Sequence, residues 1–230
     1  MAETQNFDKL NILKRRSEPY ADYFGDMLIT DKQKKQRIDL AFILEDALAI
    51  YFEFIAQRIE TGTLNPVTDK QQLVYMLYDS ISGKDDIYLS DEDLDKYVIK
   101  TAEEIYKTTV DNMAKTPNDM SYDGETPYWV SGDRAMFVAE NEANTIYNTS
   151  DYNKALIDGK NYKVWQVYPD NRVRQTHIDV YGVTIPIDAY FDVGMARMLY
   201  PKDVTSEFST GAEHPEEVIG CRCSILYINK

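Results

Sequence analysis

The residues best suited to chemistry in this sequence are few, and they gather near its end. The 230 residues hold only two cysteines and two histidines. Both cysteines and His214 fall within "HPEEVIGCRC", and the other histidine, His177, lies in "DNRVRQTHI". Zinc takes four N and S ligands in a tetrahedron. His177, His214, Cys221 and Cys223 supply that number and that chemistry. Against a single site stands the C-x-C spacing, because structural zinc sites usually carry C-x2-C or wider. In an extended strand, Cys221 and Cys223 would at least share a side. The competing reading makes them two small buried thiols in a strand, with Arg222 on the opposite face. No other cofactor is indicated.

A second constellation precedes them: Trp165, Asp170, Arg172, Val173, Arg174 and His177. A turn at Pro169–Asp170–Asn171 would join two strands into a hairpin. Arg172, Arg174 and Thr176 would then point to one face, and Val173, Gln175 and His177 to the other. His177 is either a ligand or acid–base group, or a hydrogen-bonded, half-buried residue whose neighbouring arginines pair with nearby acids. Glu216 and Glu217 form a carboxylate pair of the kind that acid–base catalysis uses. No Ser-His-Asp order, P-loop or dinucleotide glycine pattern accompanies them, so they carry little alone.

The elements that must position these groups change character along the chain. The stretch 1–29 mixes charge, Pro19, Gly25 and aromatics without a sustained period, and reads as an arm. Thr30 with Gln33 fits a capping box. It opens a long helix with apolar residues at Ile38, Ala41, Phe42, Leu48, Ala49, Phe52, Ile55 and Ile59. A second stripe, Ile43, Ala47, Ile50 and Phe54, predicts burial on two sides. Gly62 and Pro66 end the helix. "QQLVYMLYDSI" reads as a shorter helix. The acids of "SDEDLD" lack the glycine and terminal glutamate of a calcium loop. With Ser90 and Asp93 as a capping pattern, they open a helix through "LDKYVIKTAEEIYKTTVDNMAK". After a loop at 117–127, another helix begins near Ser131, with Met136, Ala139, Ala143, Ile146 and Tyr147 as its apolar face. From about Gly159 strand formers and turns alternate through "YKVWQVYP", "RVRQTHIDV", "GVTIPID" and "CRCSILYIN". Helices followed by strands predict an α+β chain. We divide it into an arm (1–29), a helical region (30–127) and a smaller C-terminal α+β domain with antiparallel strands (128–230).

Composition narrows the function classes. The net charge is −14, from 25 Lys and Arg against 39 Asp and Glu. Residues 161–230 carry 7 basic against 9 acidic residues, so the acidity resides in the first 160. Such a chain is a poor nonspecific ligand for a phosphate backbone, whose binding relies on cationic side chains. Lys14–Arg15–Arg16 and the run from Lys32 to Arg37 are local basic exceptions. No apolar run reaches the ~18 residues of a membrane span, and "MAETQNFDKL" lacks the apolar core of a secretion signal. Two cysteines give no disulfide framework, which fits assembly in a reducing cytoplasm. The 18 tyrosines suit surfaces half-covered by a partner, or half-buried positions of the chain itself.

The ordered C-terminal pattern resembles the Mu F-like minor head proteins of tailed bacteriophages. The matching residues are Glu142, Tyr147 and Asn148; Lys163 and Trp165; Asp170, Arg172, Val173, Arg174 and His177; Gly182, Ile185, Pro186 and Phe191; Pro201 and Asp203; then Pro215, Gly220, Cys221, Arg222 and Cys223. They cover roughly residues 130 to 225. Relatives often carry Arg-Thr-Glu at the helix, where this chain reads Glu140–Asn141–Glu142. The resemblance implies a non-enzymatic virion component, made in the host cytoplasm and placed in the phage head near the portal vertex. Its implied partners are the portal protein and the major capsid or scaffolding protein, with viral DNA nearby but not read by sequence. Its implied work is head assembly, DNA packaging or DNA delivery. The family's C-terminal unit is also similar to ADP-ribosyltransferase-like folds. An effector or toxin of that class would use Arg174, His177 and Glu217, but the usual Ser-Thr-Ser strand and Glu-x-Glu are missing.

Overall fold

A computed structural model describes residues 20–122, 124–168 and 170–230. The basic run Lys14–Arg16, most of the expected arm and Pro169 of the expected turn lie outside the described residues. The chain is α+β, with helices first and antiparallel strands last. It divides into two compact units. Of the described residues, the first comprises 20–22, 38–84 and 90–140; the second comprises 23–37, 85–89 and 141–230.

The first unit is helical, and three of its helices run on in sequence into the second unit. Helix α1 spans Ala21–Phe24, and α2 spans Asp31–Glu60. The Thr30 capping box forms as its sequence predicts: Gln33 N donates to Thr30 Oγ1 at 3.2 Å, and Thr30 N donates to Gln33 Oε1 at 3.1 Å. Within this unit α2 buries one stripe: Leu40, Ala41, Leu44, Leu48, Tyr51, Phe52 and Ile55. The expected second buried face is corrected. Ile43 and Ile50 are 40% and 62% exposed, and Phe42 43%. Leu40, Leu44 and Tyr51, not those residues, complete the helical spacing of the buried face.

Asn65 caps α3 (Pro66–Ile81) by accepting from Val67 N and Thr68 N, with Pro66 in the first turn, where its missing N–H costs nothing. Its Leu73, Leu77 and Ile81, four apart, are buried. Helix α4 (Asp91–Lys115) opens with Asp93 N bonded to Ser90 Oγ at 3.1 Å and buries Leu94, Val98, Ala102 and Ile105. A 3-10 turn at Tyr128–Val130 leads into α5 (Gly132–Ile157). Helix α5 outlasts its apolar pattern because its second half buries a polar face instead. No described helix is long and apolar enough to cross a membrane.

The second unit centres on a three-stranded antiparallel sheet, in the order β2 (Thr184–Pro186), β1 (Tyr162–Gln166), β5 (Ser224–Ile228). In register, Lys163 faces Ile185 on one side and Tyr227 on the other. A separate hairpin joins β3 (Phe191–Val193) to β4 (Ala196–Met198). It also holds the one-turn helices α6 (Gln175–Asp179) and α7 (Pro215–Val218), the start of α2 and the second half of α5. Trp165, Val167, Phe191, Val193, Ala196, Met198, Val218, Cys221 and Cys223 form one core cluster.

The predicted hairpin across Asp170 does not form. "RVRQTHI" alternates like a strand, but β1 already has β2 on one edge and β5 on the other, so no pairing edge is left. The segment coils into α6 instead, stapled by Gln175 Nε2 to Asp179 Oδ1 at 2.8 Å. The expected two-face division of residues 172–177 falls with it.

Candidate functional site

The site is built on the loop from Val218 to Cys223, which five side chains hold by its backbone. Gly220 adopts φ +70°, which suits glycine, and its N–H donates to Asn141 Oδ1 at 2.8 Å. Lys202 Nζ donates to the same Asn141 oxygen at 2.8 Å and to the Val218 carbonyl at 3.1 Å. Tyr23 Oη and Asn144 Nδ2 donate to the Cys221 carbonyl at 2.7 and 3.0 Å. Arg174 donates to the Ile219 carbonyl. A loop held at so many points presents its side chains in one arrangement.

Those side chains meet His177. Its ligand nitrogen and the sulfurs of Cys221 and Cys223 all lie within 4.8 Å of one another. His177 Nδ1 is 3.2 Å from Cys223 Sγ and 3.5 Å from Cys221 Sγ. The other ring nitrogen, Nε2, is 3.0 Å from Glu217 Oε2, which also accepts from Thr176 Oγ1 at 2.8 Å. All four residues are buried. Gly194, in the β3–β4 turn at φ +60°, presses on Glu217: a Cβ there would stand 2.1 Å from Glu217 Oε1. The Trp165 ring packs edge-on against the imidazole with centroids 5.9 Å apart.

The electrostatics follow from this packing. The hydrogen bond from Cys223 lowers the Cys221 thiol well below its usual value, and His177 adds to that against the effect of burial. Burial raises Cys223, and the charge on Cys221 raises it further. Burial opposes a charged His177, but Cys221 and Glu217 outweigh it and the imidazole is raised.

Of the predicted metal group, the structure brings together His177, Cys221 and Cys223, and leaves out His214. His214 Nδ1 sits 3.0 Å from Glu216 Oε1 instead. The two cysteines lie just before β5 rather than in a strand, and their sulfurs still come together beside His177. The remaining signature residues brace the same region. Asp170 accepts both 2.8 and 2.9 Å bonds from Arg222 Nη2, and a 3.0 Å bond from Arg172 Nε. Burial would raise the Asp170 carboxyl, yet these arginines hold it down at about 2. Trp165 is wholly buried, and Pro186 ends β2. Arg172, Arg174, His177, Cys221, Arg222 and Cys223 help to line a cleft that opens to solvent.

Sequence reading missed the polar stripe of α5. Asn141, Asn144 and Asn148 are all buried. Asn144 Oδ1 accepts from Arg37 Nε at 3.1 Å, and Asn148 Oδ1 from Arg37 Nη2 at 3.3 Å. Arg37 itself is wholly buried and pairs with Asp151 at 2.8 Å. The signal was there, in asparagines three and four apart on one helix face. The role of Glu217 had no local signal, because its partner lies 40 residues away.

The family described as phage Mu protein F like protein matches residues 99–226, more than half of the chain. This chain belongs to the Mu F-like family. No curated protein and no solved structure matches it. The Mu F-like match contains every signature residue discussed above and reaches back into α4. Arg174, His177 and Glu217, which an ADP-ribosyltransferase-like reading would use, sit within it. Here His177 and Glu217 are bonded to each other and buried, and Arg174 is engaged with the loop backbone.

Proposed function

We propose that this Mu F-like protein is a minor head component of a tailed phage or prophage, acting without catalysis in head assembly, DNA packaging or DNA delivery. Family membership over residues 99–226 carries this reading. It places the chain among phage head morphogenesis proteins and calls for other head proteins as partners. The finer assignment is to the portal vertex, with the portal as first partner and the major capsid or scaffolding protein as second. The uneven charge supports a protein partner over DNA, since 30 acidic against 18 basic residues in the first 160 repel a phosphate backbone. On α2, Ile43 and Ile50 are exposed one heptad apart, an apolar pair available for such a contact.

Quantitative mass spectrometry of gradient-purified particles tests this. A few to a dozen copies per particle, cross-linking to the portal, is the expected result. Abundance in the lysate with none in particles or procapsids would overturn it. Hydrolysis of NAD by the pure protein, lost on Glu217→Gln, would replace it with the effector reading.

A further inference from the structure

The geometry points to a soft-metal site formed by His177 Nδ1, Cys221 Sγ and Cys223 Sγ, with zinc as the ion its donors suit and a fourth ligand entering from the cleft. It stands independently of the portal assignment.

Three observations converge on it. The first is donor chemistry: one imidazole and two thiols are the ligands that select zinc over the hard cations. The second is distance. Zn–S bonds of ~2.3 Å and Zn–N bonds of ~2.0 Å put tetrahedral N···S edges at roughly 3.5 Å. His177 Nδ1 stands 3.2 and 3.5 Å from the two sulfurs, so both N···S edges already lie within a few tenths of an ångström of that value, and the two sulfurs are within 4.8 Å of each other. The third is the far side of the ring. A ligating histidine commonly gives its other N–H to a carboxylate, which fixes the tautomer and aims the free lone pair at the metal. Glu217 Oε2 occupies that position at 3.0 Å from Nε2, is itself bonded by Thr176, and is confined by the Gly194 turn. With Nε2–H donating to Glu217, the Nδ1 lone pair faces both sulfurs.

The loop supplies the rigidity that a metal centre needs. The bonds from Asn141, Asn144, Tyr23, Lys202 and Arg174 fix the backbone that carries both cysteines. The C-x-C spacing, narrow for a structural zinc site, still brings both sulfurs to His177, after Gly220 at φ +70° turns the chain. The cleft reaches all three ligands, so the fourth position is open to water or to a side chain of a partner. His214 takes no part.

The test uses the full chain, expressed with zinc and purified under reducing conditions. Elemental analysis should give one zinc per chain. Chelator-stripped protein titrated with cobalt should show the thiolate charge-transfer and tetrahedral ligand-field bands, saturating at one equivalent. Cys221→Ser, Cys223→Ser and His177→Ala should each abolish those bands, while His214→Ala should keep them. Glu217→Gln should keep the stoichiometry and weaken affinity by roughly 10- to 100-fold. Because the ligand variants could fail to fold, circular dichroism accompanies each, and the wild-type titration with His214→Ala decides independently. Folded wild-type protein with two free thiols that takes up neither zinc nor cobalt overturns the proposal. So does metal binding that disappears in His214→Ala, or a Cys221–Cys223 disulfide in the reduced preparation.

Discussion

Replacing Lys163 with methionine should make the second unit more stable, and most so below neutral pH. Strand β1 turns Lys163 to the same side as Trp165, and its side chain is wholly buried. Its Nζ has no hydrogen-bond partner and lies 5.3 Å from the Tyr152 ring and 5.5 Å from the Phe191 ring. Burial drives its pKa from 10.5 down to about 7, with Asp203 and Asp188 pulling weakly the other way. The folded state thus binds its proton less tightly than the unfolded chain. The resulting cost is fully present below about pH 7 and is relieved as pH rises toward 10.5, where both states lose the proton. A depression of that size corresponds to a ceiling of about 5 kcal/mol. The two ring contacts return about 1–2 kcal/mol of attraction that methionine forgoes, so the expected gain for Lys163→Met is at most about 3–4 kcal/mol at about pH 6. Urea unfolding followed by Trp165 fluorescence, in a Trp129→Phe background, reads this unit. The wild type should gain stability from about pH 7 to about pH 9.5, and the variant should show a flatter profile. A variant less stable than wild type at the lower pH, with the slope unchanged, would refute the reasoning and mean that the ammonium is well held in the core.

Three further outcomes follow from the same contacts. Gly194→Ala should destabilise by at least ~1–2 kcal/mol from the left-handed backbone alone, and by displacing Glu217 it should also weaken cobalt uptake in the titration above. Asn144→Ala should cost ~1–3 kcal/mol in chemical denaturation, because it strips a bond from buried Arg37 and another from the Cys221 carbonyl. Asp170→Asn should remove stabilisation that is present above about pH 4 and lost as pH falls toward 2. Because that site is near the surface, the effect should be about 1 kcal/mol, read as a loss of acid dependence in the melting temperature.

Much of the helical part was legible because its signals are local. The caps at Thr30 and Ser90 and the stop at Gly62 act within four residues, and each forms as written. The change of texture near Gly159 marked where strands begin. What failed was any inference that depended on distant pairing. Alternation in "RVRQTHI" satisfies a strand pattern, but whether an edge is available is decided by β2 and β5, which come later in the chain. Likewise, nothing near Ile43 and Ile50 tells that α2 buries only one face. The site was legible by residue type and not by membership. Rarity flagged all four His and Cys, yet only the fold separates His214, engaged with Glu216, from the three that meet.

The second unit buries an unusual set of polar groups for its size: Arg37, Lys163, Lys202, Asp203, His177 and Glu217. Buried charges of this kind rarely stabilise more than well-packed apolar residues would. Their value must lie in geometry. Two of them end on backbone at turns and element ends: Lys202 on Val218, and Asp203 on the N–H groups of Leu199, Thr205 and Ser206. Arg37 reaches the loop through Asn144. Apolar side chains could fill the same space but could not choose one loop conformation over another. Lys163 ends on no backbone and no hydrogen-bond partner, which is why it is the one charge whose removal should stabilise the fold. If the others act as argued, their apolar replacements should loosen the 218–223 loop, and metal uptake should fall more steeply than stability.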